Sequence, residues 1–447
     1  MFWRKKKVTP ARIIITGFAL LILTGTLLLM LPFSTKEPGG ASFLDALFTA
    51  TSATCVTGLI IHDTALYWTE FGQFVLLLLI QIGGMGVVTV ALTVAIFSGK
   101  KIGLKQRWVM QESISAPQVG GIVRTTGFLL KCLFLMEGIG AILLAFRFIP
   151  EFGPARGLWY AVFHSISAFC NAGFDLMGIK SPMSSLTDYT GDPVVSLTIA
   201  FLIILGGIGF LTWKDVSQHR FHLRAYSLQS KLILSATAAL ILIPALIFFF
   251  FEFGRPVWDS MSLGDRVLAS FFQAVTPRTA GFNSVDLTML SEPSQAITIL
   301  LMLIGGAPGS TAGGFKVTAF AVLLIAAAAT LHRQAYPECF GRRLMPESLS
   351  NAAAIVILYF TLFFAGGAVI CGLEDLPLMD ALFESASAIG TVGLSLGATP
   401  TLGTASKLIL IFLMYFGRVG GLTLIYAMLA SKKPPASMLP QEKVIVS

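Results

Sequence analysis

A phrase of eleven residues recurs four times along this chain, and each copy ends in a glycine. A phenylalanine stands ten residues before the glycine, small or hydroxyl residues fill the middle, and an apolar residue follows. The copies are Phe48–Gly58, Phe163–Gly173, Phe271–Gly281 and Phe383–Gly393, at intervals of 115, 108 and 112 residues. A fixed period of self-similarity indicates a molecule built from repeated units. The sequence therefore predicts four quasi-equivalent parts around one axis.

The composition places these repeats in a lipid bilayer. Of the 447 residues, 55% are hydrophobic and only 12% are charged, and the mean hydropathy is +0.81. These values are far from those of soluble domains. The net charge of +8 comes from short basic clusters between long apolar runs. This pattern argues against a nucleic-acid partner and is typical of the cytoplasmic loops of a membrane protein.

The basic clusters also constrain the topology. They lie at Arg4–Arg12, Lys100–Arg107, Lys214–Lys231, Arg333–Arg343 and Lys432–Lys433. If all are cytoplasmic, together with both termini, an even number of spans must separate each cluster from the next. Two apolar segments lie between successive clusters, each long enough to cross about 30 Å of hydrocarbon. Eight full spans are predicted at residues 12–33, 71–97, 125–149, 195–213, 227–253, 294–330, 348–373 and 404–430.

Each glycine phrase begins as a helix of about 12 residues, which reaches only halfway through the membrane. These re-entrant helices are predicted near residues 42–54, 157–170, 264–276 and 377–388. The predicted fold class is an all-α integral membrane protein with four pseudo-repeats of span, re-entrant pore helix, filter loop and span around a central ion pore. The predicted divisions are a cytoplasmic N-terminus at 1–11, repeats at 12–107, 108–224, 225–345 and 346–431, and a cytoplasmic tail at 432–447.

The four segments that end in the repeated glycines are the candidate ion filter. Rings of backbone carbonyls can replace the hydration shell of a cation, and glycine keeps side chains off the axis. A tight turn or a close helix contact would account for one such glycine, but four in register favour a filter. The candidate residues are Cys55, Val56, Thr57 and Gly58; Cys170, Asn171, Ala172 and Gly173; Arg278, Thr279, Ala280 and Gly281; and Gly390, Thr391, Val392 and Gly393.

The third repeat interrupts its second span with the stretch GGAPGSTAGG, about ten residues into that span. Glycine and proline disfavour a regular helix there. The stretch predicts a gate loop that obstructs the pore below the filter and moves to open it, and a static kink is the alternative. The gate residues are Gly305, Gly306, Ala307, Pro308, Gly309, Ser310, Thr311, Ala312, Gly313 and Gly314. Lys316 follows them and either faces the cytoplasmic vestibule or snorkels.

Two arginines fall inside the candidate pore region. Arg418 occupies the place that a glycine holds in the second span of the other three copies. An intramembrane arginine is costly and normally faces protein or water. Three roles are open for Arg418: a positive barrier below the filter, a latch on the 305–314 loop, or a structural residue paired with carbonyls or with Glu384. Arg278, in the third filter segment, is predicted to brace its loop from behind.

No catalytic set emerges from the remaining residues, so the chain is not predicted to be an enzyme and no cofactor is expected. The glycine-rich stretch lacks the Lys-Ser/Thr ending of a Walker phosphate loop and does not follow a strand. The five cysteines give neither a metal-ligand spacing nor a disulfide framework.

The four filter phrases, the glycine-rich break and Arg418 together resemble the Trk/Ktr/HKT superfamily of potassium transporters, and most closely its bacterial KtrB-type membrane subunits, over about residues 10–430. The resemblance implies a potassium filter at the repeated glycines, a gate at 305–314 and a position beneath the filter for Arg418. It also implies a homodimer in the inner membrane on a cytosolic KtrA-like ring of nucleotide-binding RCK subunits, with sodium as an activator. Glycine at position 58, where sodium-preferring relatives carry serine, favours potassium.

The main alternative is an ion-coupled secondary transporter that works by alternating access. Such a protein would contain inverted repeats and intramembrane carboxylates. The four copies here are predicted to be parallel, and Glu137 is the clearest acidic residue deep in a span. A purely structural membrane protein would not need four matched re-entrant loops.

Overall fold

The computed structural model describes residues 9–87, 89–90, 103–113, 120–220 and 222–420. The predicted tail 432–447, most of the N-terminal segment 1–11, and parts of the predicted spans 71–97 and 404–430 lie outside these ranges. Within them the chain is almost entirely helical, with a single small hairpin. Its strands β1 (Glu338–Cys339) and β2 (Arg342–Arg343) pair antiparallel in the segment between the third and fourth repeats.

The helices follow the repeat order of the sequence. The first repeat contains α1 (Pro10–Leu29), α2 (Phe43–Cys55), α3 (Thr64–Tyr67) and α4 (Glu70–Met85), and α5 (Leu104–Ser113) follows it. The second contains α6 (Ile122–Phe152), α7 (Pro154–Phe169), α8 (Pro193–Gly207) and α9 (Phe210–His219). The third contains α10 (Leu228–Ile247), α11 (Leu263–Val275), α12 (Glu292–Leu303) and α13 (Val317–Leu331). The fourth contains α14 (Pro346–Glu374), α15 (Leu378–Gly390) and α16 (Thr404–Val419).

The four short helices α2, α7, α11 and α15 begin and end by recognisable local chemistry. Ser262 and Asp265 form a capping box at the start of α11, and Ser42 caps α2 by accepting from the Asp45 amide. These acidic residues also suit the positive end of the helix dipole. At the other end, α2 and α15 stop at Val56 and Thr391, which adopt the left-handed conformation.

Packing between the repeats is cyclic. The second long segment of each repeat contacts the short helix of the next repeat: α4 packs on α7, α8 on α11, α12 on α15, and α16 returns to α2. The short helices are therefore enclosed on all sides, and most of their residues from the middle onward are buried. This arrangement brings the four helix C-termini together at the centre of the molecule.

Long helices flank this centre, but the second segment of each repeat is interrupted. Four helices in the described residues are long and apolar enough to cross a membrane, α1, α6, α10 with its π-helical extension to Glu252, and α14, and the bent pair α8 and α9 makes a fifth candidate. The pair bends by 95°. The prediction of eight full spans stays a prediction, because parts of the spans 71–97 and 404–430 lie outside the described residues and residues 304–316 interrupt the second segment of the third repeat.

The breaks share a cause. Gly86 and Gly420 directly follow α4 and α16, and Gly209 lies between α8 and α9. The φ angles of Gly86, Gly209 and Gly420 are 85°, 87° and 91°. A right-handed helix cannot continue through such a residue. In the third repeat, residues 304–316 separate α12 from α13. The sequence predicts a break in the third repeat, and within the described residues a helix of the second segment ends next to or close to a glycine in every repeat.

Candidate ion filter and intramembrane gate

The four repeated glycines meet face to face and form a closed ring, which we call the glycine ring (Gly58, Gly173, Gly281 and Gly393). A Cβ atom added to each would lie 2.3–2.7 Å from the carbonyl oxygen that precedes the next glycine. The four oxygens, in ring order, belong to Ala172, Ala280, Val392 and Thr57. The order of contacts is that of the repeats, and the fourth copy touches the first. No side chain larger than hydrogen fits at these positions without moving the neighbouring backbone.

The ring segments (residues 55–58, 170–173, 278–281 and 390–393) share an unusual backbone. The glycines have φ between 70° and 95°, and the residues two positions earlier have φ between 51° and 67°. Those earlier residues are Val56, Asn171, Thr279 and Thr391. A left-handed conformation is uncommon for non-glycine residues and costly for β-branched ones. Strain of this kind persists only where the surrounding structure enforces it, and it is concentrated at functional sites.

Hydroxyl side chains near the ends of the short helices hold the ring segments in place. Ser52 and Ser387 accept hydrogen bonds from the Gly58 and Gly393 amides at 3.1 and 3.0 Å. In the second and third repeats, the Ser167 and Thr276 hydroxyls donate to the carbonyls of the residues after the ring glycines, at 2.7 and 2.6 Å. Sequence reasoning missed these residues. The signal was a serine in the same column of three copies, displaced by one residue as Thr276 in the third.

The other candidate filter residues either end the short helices or support the ring segments from behind. Cys55, Cys170 and Gly390 lie at the ends of their helices and are fully buried. Arg278 points away from the ring, with its guanidinium 3.2 Å from the Thr237 hydroxyl on α10, as expected for a brace behind the loop. Among the described residues, the Thr57, Thr279 and Thr391 hydroxyls are buried without a hydrogen-bond partner.

The intramembrane loop (residues 304–316) lies directly against the ring segments. A Cβ on Gly313 would come within 1.9 Å of the Thr391 hydroxyl oxygen, and one on Gly314 within 3.2 Å of the Gly390 carbonyl oxygen. On the other side, the Thr311 hydroxyl lies 2.9 Å from the Asn171 side-chain oxygen. The loop thus touches ring segments of the second and fourth repeats at once.

Backbone hydrogen bonds fix the loop to the bent second segment of the second repeat. The Ala307 and Thr311 amides donate to the Gly207 and Gly206 carbonyls, at 2.8 and 3.3 Å, and the Phe210 amide donates to Gly309 at 2.8 Å. Gly206 and Gly207 end α8, and Phe210 begins α9. The 95° bend therefore exposes the backbone groups that bind the loop.

Two cationic side chains donate hydrogen bonds to the loop. Arg418 donates to the Thr311 carbonyl and to the Gly83 and Gly84 carbonyls of the first repeat, the latter two at 2.5 and 3.0 Å. Lys316 donates to the Ala312 and Gly313 carbonyls at 2.8 and 3.3 Å. Both cations line a cavity of about 200 Å³ on the side of the loop away from the ring. These contacts fit two of the roles open for Arg418, a latch on the loop and a structural residue paired with carbonyls.

The buried carboxylates near the centre have partners elsewhere. Glu384 accepts from the Ser395 and Thr399 hydroxyls rather than from Arg418. Glu137 on α6 accepts from the Gln81 amide at 3.0 Å and is only 5% exposed. The described part of the chain contains no group of three or more His, Cys, Asp or Glu side chains arranged to hold a metal ion.

Comparison with known proteins assigns this architecture to a family. The model of the TrkH family, described as cation transport protein, matches residues 7–441. The chain belongs to the TrkH family. The Ktr system potassium uptake protein B of Bacillus subtilis is 43% identical over 94% of this chain and 93% of its own length. The potassium/sodium uptake protein NtpJ of Enterococcus hirae is 38% identical over 99% of this chain and 98% of its own.

A solved structure also shares the fold. The structure of the potassium transporter TrkH of Vibrio parahaemolyticus aligns with this chain at a TM-score of 0.74 and 20% sequence identity. The alignment covers 96% of this chain and 86% of the TrkH chain. The resemblance drawn from the glycine phrases is therefore confirmed at the level of the family. A TrkH-family chain with several long apolar helices is a multi-pass membrane protein, and the members of this family are transporters rather than enzymes.

Proposed function

We propose that this chain is the translocating subunit of a potassium uptake system in the bacterial cytoplasmic membrane. The single observation that carries the proposal is the closed glycine ring, in which four carbonyl oxygens from four repeats converge. Carbonyl rings bind a dehydrated cation without formal charge, and potassium loses its hydration shell at such sites. The names of the relatives, which are potassium or potassium/sodium uptake proteins, support potassium as the substrate.

In this proposal, the sixteen residues of the ring segments form a channel-like selectivity filter. The ring depends on positions that only glycine can fill, and the hydroxyls of Ser52, Ser167, Thr276 and Ser387 limit how far the carbonyls can move. A ring held at one size can distinguish cations by the number and geometry of its oxygens. Arg278, turned away from the ring, keeps its charge from competing with the ion.

The intramembrane loop is the proposed gate, and the contacts described above correspond to a closed state. The loop lies against two ring segments, and Lys316 and Arg418 place two positive charges beside the ion path. Like charges in a poorly solvated site repel an entering cation. Opening would require the loop to release Arg418 and the backbone groups of Gly206, Gly207 and Phe210.

The proposal includes the predicted topology and assembly. Eight spans in four repeats, bounded as at 12–107, 108–224, 225–345 and 346–431, place both termini in the cytoplasm. The subunit forms a homodimer on a cytosolic KtrA-like RCK ring, and sodium activates uptake. Two relatives carry names that support these elements: one belongs to a Ktr system, and another is a potassium/sodium uptake protein.

An ion-coupled transporter working by alternating access is the second candidate. Glu137 favours it, because a deeply buried carboxylate is a common element of coupled carriers. Its position between Gln81 and the Cys170 thiol, behind the second ring segment, places it outside the ring itself.

The two candidates separate in proteoliposomes that contain the purified chain, with and without a partner RCK ring. We expect rubidium and potassium to enter down their gradients and sodium to compete poorly. Deletion of residues 309–313 should raise the maximal rate without changing the preferred ion. Uptake that requires a proton or sodium gradient would favour the coupled carrier, and equal entry of sodium and potassium would overturn the filter assignment.

A further inference from the structure

We propose that Asn171 couples the position of the intramembrane loop to the ion selectivity of the glycine ring. The inference rests on the proposed function of the ring and the loop. Asn171 is a positioning residue in this account: its side chain acts on the third ring segment rather than on the ion. The evidence is a set of hydrogen bonds that joins the loop to two ring segments through one amide.

The Asn171 side-chain amide is fully buried, and both its oxygen and its nitrogen have hydrogen-bond partners. Its oxygen lies 2.9 Å from the Thr311 hydroxyl of the loop, which also lies 3.1 Å from the Phe169 carbonyl oxygen at the end of α7. Its nitrogen donates, at 3.4 Å each, to the Arg278 carbonyl, in the third ring segment, and to the Ile203 carbonyl on α8. One side chain on the second ring segment thus touches the loop, the next ring segment and the helix behind it. An amide in a fixed orientation is needed, because oxygen and nitrogen face partners of opposite character.

The other ring segments lack this link. The positions equivalent to Asn171 hold Val56, Thr279 and Thr391, and the two threonine hydroxyls have no partner among the described residues. Asparagine also adopts the left-handed conformation, here with φ of 60°, more readily than valine or threonine. The second segment is therefore the least strained of the four, and among the described residues it is the one whose side chain at this position hydrogen-bonds to the loop.

The Asn171–Thr311 contact lies close to the backbone of Gly206, which leaves no room for a side chain at position 206. A Cβ on Gly206 would lie 2.6 Å from the Asn171 oxygen and 2.8 Å from the Thr311 oxygen. The Gly206 carbonyl also accepts from the Thr311 amide. The same Cβ would lie 2.0 Å from the Phe169 carbonyl oxygen, so the glycine in the bend of the second repeat makes room for that carbonyl and for the Asn171–Thr311 contact together.

Movement of the loop would change what holds the third ring segment. When Thr311 leaves, the Asn171 oxygen is left buried without a donor, which is unfavourable enough to make the amide rotate. Rotation removes the nitrogen from the Arg278 carbonyl and frees the peptide that leads to Gly281. The ring would then be held tightly while the loop is closed and less tightly when it opens, so the ion preference depends on the state of the gate.

A double-mutant cycle in proteoliposomes tests the coupling. The variants are Thr311→Val, Asn171→Leu and the double variant, with Thr26→Val as the matched control, since the buried Thr26 hydroxyl donates to the Ile22 carbonyl of its own helix α1 at 2.9 Å and belongs to neither the ring segments nor the loop. The readouts are the maximal potassium uptake rate and the ratio of potassium to sodium affinity, the latter measured by equilibrium binding to the purified protein with the loop closed. Thermal stability in detergent confirms that each variant is folded.

We expect Thr311→Val to lower the affinity ratio by about two- to tenfold, the range for one net hydrogen bond. Asn171→Leu should lower it at least as much, since it also removes the contacts with the Arg278 and Ile203 carbonyls. The double variant should lose less than the sum of the two single effects, because both substitutions remove the Asn171–Thr311 contact. Thr26→Val should leave the ratio unchanged. Additive effects of the two substitutions would overturn the coupling. An unchanged ratio in folded Thr311→Val would also overturn it, and faster uptake in the 309–313 deletion would show that the proposed function still stands. A wild-type chain without potassium preference would overturn both.

Discussion

Replacement of Gly58 by serine should weaken the potassium preference of the ring by an amount that follows from its geometry. The new Cβ would lie 2.5 Å from the Ala172 carbonyl oxygen, whereas ordinary contacts begin at 3.4 Å, so the oxygen must retreat by about 0.9 Å. A polar contact to a charged group is worth about 1.5–3 kcal/mol. Loss of one of four such contacts should therefore reduce the preference of potassium over sodium by about ten- to a hundredfold.

A matched control separates this displacement from backbone strain. Gly397 has φ of 95°, close to the 92° of Gly58, but a Cβ there would meet nothing within 4 Å. Serine at either position costs about 1–2 kcal/mol of conformational strain. Thermal unfolding in detergent should show a stability loss for both variants, and a larger one for Gly58→Ser because of the close contact with Ala172. Rubidium uptake in proteoliposomes, with sodium as competitor, should show a change in ion preference for Gly58→Ser alone. An unchanged preference in folded Gly58→Ser, or an equal change in Gly397→Ser, would refute the reasoning.

Three further substitutions probe the gate and the buried carboxylate. Gly313→Ala should displace the loop, because its Cβ would lie 1.9 Å from the Thr391 oxygen, and should raise the maximal uptake rate several-fold while Gly138→Ala, in open space, does not. Arg418→Gln should also speed uptake by releasing three carbonyls, and an unchanged rate in flux assays would contradict a latch. Glu137→Gln should retain the contact with Gln81 and leave uptake and its pH dependence unaltered; loss of proton dependence would instead indicate a coupled carrier.

The features that could be read from the sequence are those that repeat. The re-entrant helix expected near 42–54 spans Phe43–Cys55, because both its composition and its half-membrane length are local properties. The glycines were recognisable as a set since one requirement, room for a neighbouring carbonyl, applies to all four. The family followed from the same residues and is confirmed.

The features that could not be read depend on how the repeats meet. Arg418 reaches the Gly83 and Gly84 carbonyls, more than 330 residues away, only because the fourth repeat packs against the first. The sequence contains the glycines at the bend between Gly207 and Phe210, but it does not show that this bend binds the loop, because that contact is made with another repeat. Whether a glycine continues a helix or breaks it is decided by such packing and not by its neighbours in sequence.

The central claim is that the glycine ring binds the transported ion. Crystals of the protein in rubidium or thallium, measured for anomalous scattering, test it directly. The account predicts density on the ring axis, about equally distant from the carbonyl oxygens of Thr57, Ala172, Ala280 and Val392, which disappears in sodium. Ions ordered beside Glu137 with none at the ring would contradict the account and support a coupled carrier.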